Sequence, residues 1–261
     1  MRVVVKIGGA ALDDPSTGRK CARAVGELAH DGHQVAVVHG GGRALTRMLK
    51  LLGHDSEFVN GLRVTDRTTR DVALMVLAGL VNKNLVAAIQ AEGFPALGLS
   101  GGDGISFRAR KRSTSGHDLG FVGEICFTDS RWLEVIWQNG GIPVLASIAL
   151  GFDGEYYNVN ADQMAAACAG ACHADALFFL TDVAGVKNRD GAVIRFLTTA
   201  EVADLAADRV IAGGMLPKLE ASKEALRRGV RRVRIFPAEQ AEVLPQFYFR
   251  KLECGTEVTS S

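Results

Sequence analysis

The strongest constraint on this chain is its repeated alternation of short apolar, β-branched segments with longer helix-patterned ones. Glycine clusters fall at the ends of the apolar segments. Residues 2–7, Arg-Val-Val-Val-Lys-Ile, predict a buried strand that stops at Gly8-Gly9. Residues 17–31 predict a helix and 34–38 a second strand, after which His39-Gly40-Gly41-Gly42 opens a helix near Arg43. Residues 66–82 predict a helix with Val72, Met75, Val76, Gly79 and Leu80 on one face, and helical pattern continues to about 91. Further strands are expected at 95–99, 142–146, 174–180 and 231–236, with helices at 130–139, 160–172, 198–206 and 217–228. Residues 105–128 read as hairpins with Gly116, Gly120 and Gly123 at turns or bulges. Short strands over 186–195 surround an Asp190-Gly191 turn, and a last strand is expected at 254–258. Such alternation predicts a three-layer αβα sandwich, an α/β fold with a central, mainly parallel sheet covered on both faces. Ligands of such sheets sit beyond the carboxyl ends of the strands. The glycine segments 8–9, 40–42, 101–104 and 185 fall there.

No linker-like stretch divides the 261 residues, so one domain is expected, with two lobes sharing one sheet: about 1–160 and about 161–261. Thirty basic and 29 acidic residues give a net charge of +1, which argues against nucleic-acid or membrane-surface binding by bulk charge. No uninterrupted apolar run approaches the roughly 18 residues of a membrane span. Lys6 interrupts the start where a signal peptide needs apolar residues, so a cytoplasmic location is expected. The five scattered cysteines fit reduced thiols. Cys168 and Cys172 share one face of an alanine-rich helical stretch, with too few neighbouring ligands for a metal; they read as small core-filling side chains.

The chain has no Walker P-loop, no dinucleotide fingerprint and no H-E-x-x-H. Gly98-Leu99-Ser100-Gly101-Gly102 matches the G-x-S-x-G nucleophile elbow, but the pattern predicts a hairpin next where the elbow needs a helix. The two first glycine loops are more informative. Gly8-Gly9 and Gly40-Gly41-Gly42 leave room for backbone N–H groups to converge on one anion, and Lys6 adds a mobile charge. A helix start after the second loop adds positive potential. Together they form a phosphate cradle without a Walker motif. Arg63, in Gly61-Leu62-Arg63-Val64-Thr65-Asp66, stands just before a helix, where its planar fork can clamp a carboxylate. In Asn158-Val159-Asn160-Ala161-Asp162, Asn160 is a candidate N-cap and Asp162 lies in the first turn. Gly213-Gly214-Met215-Leu216-Pro217-Lys218 places proline at a helix start and Lys218 where the helix dipole disfavours a cation, which points to an anionic ligand. Two lysines with one aspartate suit phosphoryl transfer, which relies on positioning and charge stabilisation.

These motifs, in this order and spacing from Lys6 to Gly255-Thr256, resemble the amino-acid kinase family, and within it the branch that phosphorylates N-acetyl-L-glutamate. The resemblance implies transfer from ATP to the side-chain carboxylate of that substrate, on the acetylated route to arginine or ornithine. It implies that Lys6 and Lys218 stabilise the transferring phosphoryl group and that Asp162 holds both lysines. Gly8, Gly9, Gly41 and Gly42 would offer N–H groups. Arg63 would clamp the α-carboxylate, with Asn158 and Asn160 beside it. Thr181, Asp182 and Gly185 would lie at the nucleotide end. Mg2+ would bridge ATP phosphates without a dedicated protein site. The first lobe would bind the acyl substrate and dimerise, the second would bind ATP. A family branch inhibited by arginine carries an extra N-terminal helix. This chain reaches its first strand by Arg2, so weak or no arginine feedback and a homodimer, seamed along helix 66–82, are expected.

Two basic clusters, Arg108-Ala109-Arg110-Lys111-Arg112 and Arg227-Arg228 with Arg231, Arg232 and Arg234, read first as solvated faces. An acidic carrier protein bearing aminoadipate or glutamate is the alternative substrate they would suit. A non-catalytic nucleotide-binding regulator on the same fold is a further alternative.

Overall fold

The computed structural model describes residues 1–113, 116–207, 211, 213–248 and 254–260. Chain order begins β1 (Arg2–Ile7), α1 (Gly9–Asp13), α2 (Pro15–His30), β2 (Gln34–His39), α3 (Gly42–Leu51), β3 (Phe58–Val59) and β4 (Leu62–Arg63). Next come α4 (Arg67–Ala73), a π-helical segment (Leu74–Val81) and α5 (Asn82–Ala91), which together make one continuous helix. They are followed by β5 (Ala96–Ser100), β6 (Phe107–Lys111), β7 (Val122–Thr128), α6 (Arg131–Gln138), β8 (Ile142–Ala146), β9 (Ile148–Gly151), β10 (Tyr156–Val159) and α7 (Ala161–Ala171). The chain then forms β11 (Ala176–Thr181), β12 (Phe196–Thr198), α8 (Thr199–Ala207), α9 (Met215–Arg227), β13 (Arg232–Pro237), a 3-10 stretch (Ala238–Tyr248) and β14 (Thr256–Thr259).

Eight strands form the main sheet in the order β12-β14-β13-β11-β1-β2-β8-β5. Neighbours are parallel throughout except β13 and β14. β1 therefore sits between β2 and β11, and the loops after these three strands emerge side by side. Side chains alternate across a strand. Val3, Val5 and Ile7 pack with Val25, Leu28 and Leu85 from α2 and α5. Val4 packs on the other face with Met164, Ala165 and Leu219 from α7 and α9. The same alternation turns Lys6 toward α7 and α9, and that parity creates the site described below.

Several features depart from the sequence pattern or were not visible in it. A closed barrel of β10-β7-β6-β9 takes up the expected hairpins and adds strands at 148–151 and 156–159. Ser100 is followed by a 3-10 turn, Asp103–Ile105, and then β6; its hydroxyl donates to Asp103 Oδ2 at 2.9 Å, so the elbow match has neither the helix nor a free nucleophile. The helix Arg67–Ala91 has a mean hydropathy of 1.9 over its most apolar window, long and apolar enough to cross a membrane by length and composition. Here its inner side packs Val72, Val76, Leu77, Leu85 and Ile89 into the core, while Met75 and Leu80 stay exposed.

Leu28 is wholly enclosed between α2 and the sheet. Leu28→Ala is expected to lower unfolding free energy by about 2–5 kcal/mol, through lost transfer energy and a residual cavity. Urea unfolding of the two proteins measures it.

Candidate active site

Three elements each bring one charged side chain to a common point beyond the sheet. β1 supplies Lys6, α7 supplies Asp162 and α9 supplies Lys218. Asn160 caps α7: its side-chain oxygen accepts from the N–H of Asp162 at 2.9 Å and of Gln163 at 3.2 Å. The cap fixes the first turn of α7, and with it the Asp162 carboxylate. Lys6 Nζ lies 2.8 Å from Asp162 Oδ1, and Lys218 Nζ lies 3.1 Å from Oδ2 and 3.3 Å from Oδ1. Lys6, Asp162 and Lys218 are only 7%, 7% and 6% exposed. Lys218 also sits 5.5 Å from the centre of the Phe179 ring, a favourable cation–π approach.

Burial opposes ionisation of Asp162, but the Lys6 and Lys218 ammoniums outweigh it, and its carboxyl is held below the ordinary value. Lys218 is pushed down, first by burial and then by the Lys6 charge, against the pull of Asp162. With all three groups ionised the triad carries one surplus positive charge. Burying unbalanced charge is costly, so this centre favours an anion. A cavity of about 460 Å³ opens on it, lined by Lys6, Gly8, Gly9, Thr181, Asp182 and Lys218 among others.

A second cavity, of about 160 Å³, lies on the other side of the glycine loops, lined by Gly40, Gly41, Gly42, Arg63, Ser147, Asn158 and Asn160 among others. The two linings approach each other where a Cβ on Gly9 would come within 3.2 Å of Gly41 N and 3.3 Å of Gly42 N. Only glycine leaves that space open for N–H groups at helix starts, which have no intrahelical partner. Arg63 is buried; its Nη2 donates to Gly42 O at 3.2 Å and Thr46 Oγ1 at 2.7 Å, and its Nη1 to Ser56 Oγ. Phe58 stacks against it with 4.6 Å from Cζ to the ring centre. Burial lowers the Arg63 pKa, and among the described residues no carboxylate pairs with it. A guanidinium stays charged in proteins, so Arg63 presents a buried, unneutralised cation to the cavity. Asn158 is held beside it by Thr65, whose hydroxyl lies 3.3 Å from Asn158 Nδ2.

The structure thus gathers Lys6, Lys218, Asp162, Gly8, Gly9, Gly41, Gly42, Arg63, Asn158, Asn160, Thr181 and Asp182 around two adjoining cavities. Gly185 lies apart from them: a Cβ there would meet Thr256 Oγ1 at 2.7 Å and Val193 at 2.8 Å, so its glycine serves a close chain approach. Sequence reasoning missed Thr46, Ser56 and Phe58, which orient Arg63, and Ser147 in the cavity wall. None of them carries a local motif. Another cavity, about 710 Å³, lies elsewhere, between α7, α9 and the β6–β7 hairpin. Its Lys223, Arg227 and Arg228 pair with Glu220 and Glu224. The basic cluster on β6 is similarly engaged: Arg110 pairs with Glu124, Lys111 with Asp118, and Arg112 donates to Gln163.

A model of the amino acid kinase family matches residues 1–237. The chain is 62% identical to an acetylglutamate kinase of Acidobacterium capsulatum and 52% identical to one of Koribacter versatilis, in both cases over the whole of both chains. Among solved structures it is similar to an N-acetylglutamate synthase from Neisseria gonorrhoeae complexed with coenzyme A and N-acetyl-glutamate. That match has a TM-score of 0.88 and 28% identity, and covers all of this chain and 59% of the other.

Asp162→Asn leaves two buried ammoniums without a counter-charge and is expected to cost about 3–5 kcal/mol of stability. Adding Lys218→Met should recover part of that loss in urea unfolding. The folded-state pKa of Asp162 lies below its unfolded value of about 3.9. The carboxylate's contribution is therefore complete above that value and lost as pH falls through the lower folded pKa. The acid limb of the stability curve should be shallower in Asp162→Asn.

Proposed function

Because the chain belongs to the amino acid kinase family, we propose that its two adjoining cavities transfer the terminal phosphoryl group of ATP to the side-chain carboxylate of N-acetyl-L-glutamate. The product is N-acetyl-L-glutamyl 5-phosphate, an acyl phosphate of arginine biosynthesis. The observation that carries this reading is the pairing of a buried, net-positive lysine–aspartate–lysine centre with a buried arginine that has no carboxylate partner among the described residues.

The chemistry asks for little more. A carboxylate nucleophile is already ionised at neutral pH, so no general base is needed. The main barrier is the approach of two anions. Lys6 and Lys218 stabilise the charge on the transferring group, and Asp162 holds both ammoniums in register. The N–H groups of Gly9, Gly41 and Gly42 face phosphate and attacking carboxylate; that of Gly8, expected to join them, is instead donated to Leu180 O at 2.9 Å, so Gly8 lines the cavity without offering its N–H. Arg63 clamps the α-carboxylate of the acceptor, with Asn158 and Asn160 beside it, and so fixes the line of attack. Thr181, Asp182 and Gly185 take the nucleotide end, Gly185 from a position packed against Val193 and Thr256. Mg2+ carried on the nucleotide, with no dedicated protein site, would supply further neutralisation of phosphate charge. Both Asp162 oxygens are engaged by lysines, Oδ1 by Lys6 and Oδ2 by Lys218. Residues up to about 160 hold the acceptor and those from about 161 hold ATP, in the cytoplasm.

Met75 and Leu80 on the long helix are 62% and 50% exposed, and Leu97 on the edge strand β5 is 53% exposed. This apolar face supports a homodimer with a second copy seated on it. Met75→Glu with Leu80→Glu is expected to yield monomers by light scattering on a sizing column; an unchanged mass would place the seam elsewhere.

Acyl-phosphate trapping tests the activity. With ATP, Mg2+ and hydroxylamine, hydroxamate is expected from N-acetyl-L-glutamate and not from free glutamate or α-aminoadipate. Lys6→Ala and Lys218→Ala should each lower turnover by about 10²–10³-fold. A protein that binds ATP yet forms no hydroxamate from N-acetyl-L-glutamate would overturn the reading.

A further inference from the structure

His39 ends β2 and is wholly buried, yet it takes no part in the chemistry above. A neutral imidazole has one donor and one acceptor nitrogen. Its Nδ1 lies 2.8 Å from Gly40 O, and a carbonyl only accepts, so Nδ1 carries the hydrogen. Nε2 is then a bare acceptor, and Asn82 Nδ2 donates to it at 3.0 Å. The other Asn82 hydrogen goes to Val144 O at 2.9 Å, which fixes the orientation of the amide. Burial pushes the His39 pKa down to about 4, so the ring stays neutral near physiological pH.

A trans peptide is planar, with its C=O and N–H pointing in opposite directions. Holding Gly40 O from the core side therefore turns Gly41 N–H the other way, toward the space that Gly9 leaves open. Glycine imposes little torsional preference of its own, so the direction of this N–H has to be set from outside the loop. Asn82 is placed for that task by the π-helical segment just before it. The wider turns of that segment bring Leu77 and Val81 to within 2.7 and 3.1 Å of where a Cβ on Gly41 would be. Asn82 Oδ1 is buried and has no hydrogen-bond partner among the described residues, and a Cβ at Gly98 would fall 1.9 Å from it. An orphaned oxygen is a cost, which identifies the two N–H donors as the reason for an amide at this position.

We propose, resting on the reading of this cleft as the transfer site, that His39 and Asn82 are positioning residues that set the Gly40–Gly41 peptide plane and aim Gly41 N–H at the reacting groups. The test combines 15N NMR of the imidazole with kinetics of substituted proteins. The wild-type ring is expected as the single Nδ1–H tautomer, and Asn82→Leu should mix the tautomers. His39→Gln, which loses the donor to Gly40, should lower kcat by about 10–100-fold while the KM values for ATP and acceptor stay within about threefold. His39→Asn carries a donor near the ring Nδ1 position and should restore kcat to within about threefold of wild type. An Nε2–H tautomer, or equal kcat in the Gln and Asn proteins, would overturn the proposal. Wild-type protein that forms no acyl phosphate would overturn it together with the reading beneath it, and its own inactivity tells that case apart.

Discussion

Asp162 sits between two ammoniums that reach it from opposite ends of the chain, one on β1 and one on α9. Neither lysine has a place in the buried centre without it. Desolvation costs several kcal/mol for each ion, and attraction inside the protein offsets it only where geometry is good. Three elements must therefore dock correctly before the centre exists, and the surplus positive charge that remains is balanced by whatever anion enters. Stability and ligand preference come from the same three side chains.

The same reasoning separates two arginines that look alike in sequence. Arg63 and Arg70 stand one on each side of the α4 start, and both are buried. Arg70 is neutralised by Glu155 and by Asp71, the latter at 2.7 Å, and lies 4.6 Å from the Phe121 ring centre. It ties the long helix to the small barrel. Arg63 receives hydroxyl, carbonyl and aromatic neighbours but no counter-charge among the described residues. Orientation without neutralisation is the arrangement expected of a group that waits for an anion.

Much of this was legible in the residues. The buried strand at 2–7 was readable, but its valines are apolar on both faces, so only the packing shows that Lys6 shares the face of Val4. The Asn160 cap and the Pro217 helix start were readable from local chemistry, and the structure differs at the latter by only two residues. What escaped depends on contacts distant in sequence or on segments too short to show a period. The two-residue strands β3 and β4 carry no alternation. The barrel strand β9 reads as little more than an apolar tail to β8. Gly185 belongs to a glycine series that suggested ligand contact, and the close approach of Val193 and Thr256 to it, from eight and 71 positions away, could not be read from that series. His39 and Asn82 are 43 positions apart, and no spacing rule links a strand end to a helix that happens to widen.

That widened helix connects two parts of the molecule. Its inner side rests on Gly41 through Leu77 and Val81 and reaches His39 through Asn82, while its outer side leaves Met75 and Leu80 exposed. An α-helix with its side chains is only about 10–12 Å across. Packed interiors deform little, so a helix held on one side transmits displacement to the other. A second copy seated on Met75 and Leu80 would thus restrain the surface against which the Gly40–Gly41 peptide is set. Aiming one backbone N–H at a transferring phosphoryl group leaves little room for misplacement, and a loop of three glycines has no internal means of providing that precision. The rigidity has to be imported, and this helix is the element in contact with both the loop and the face where a partner would supply it.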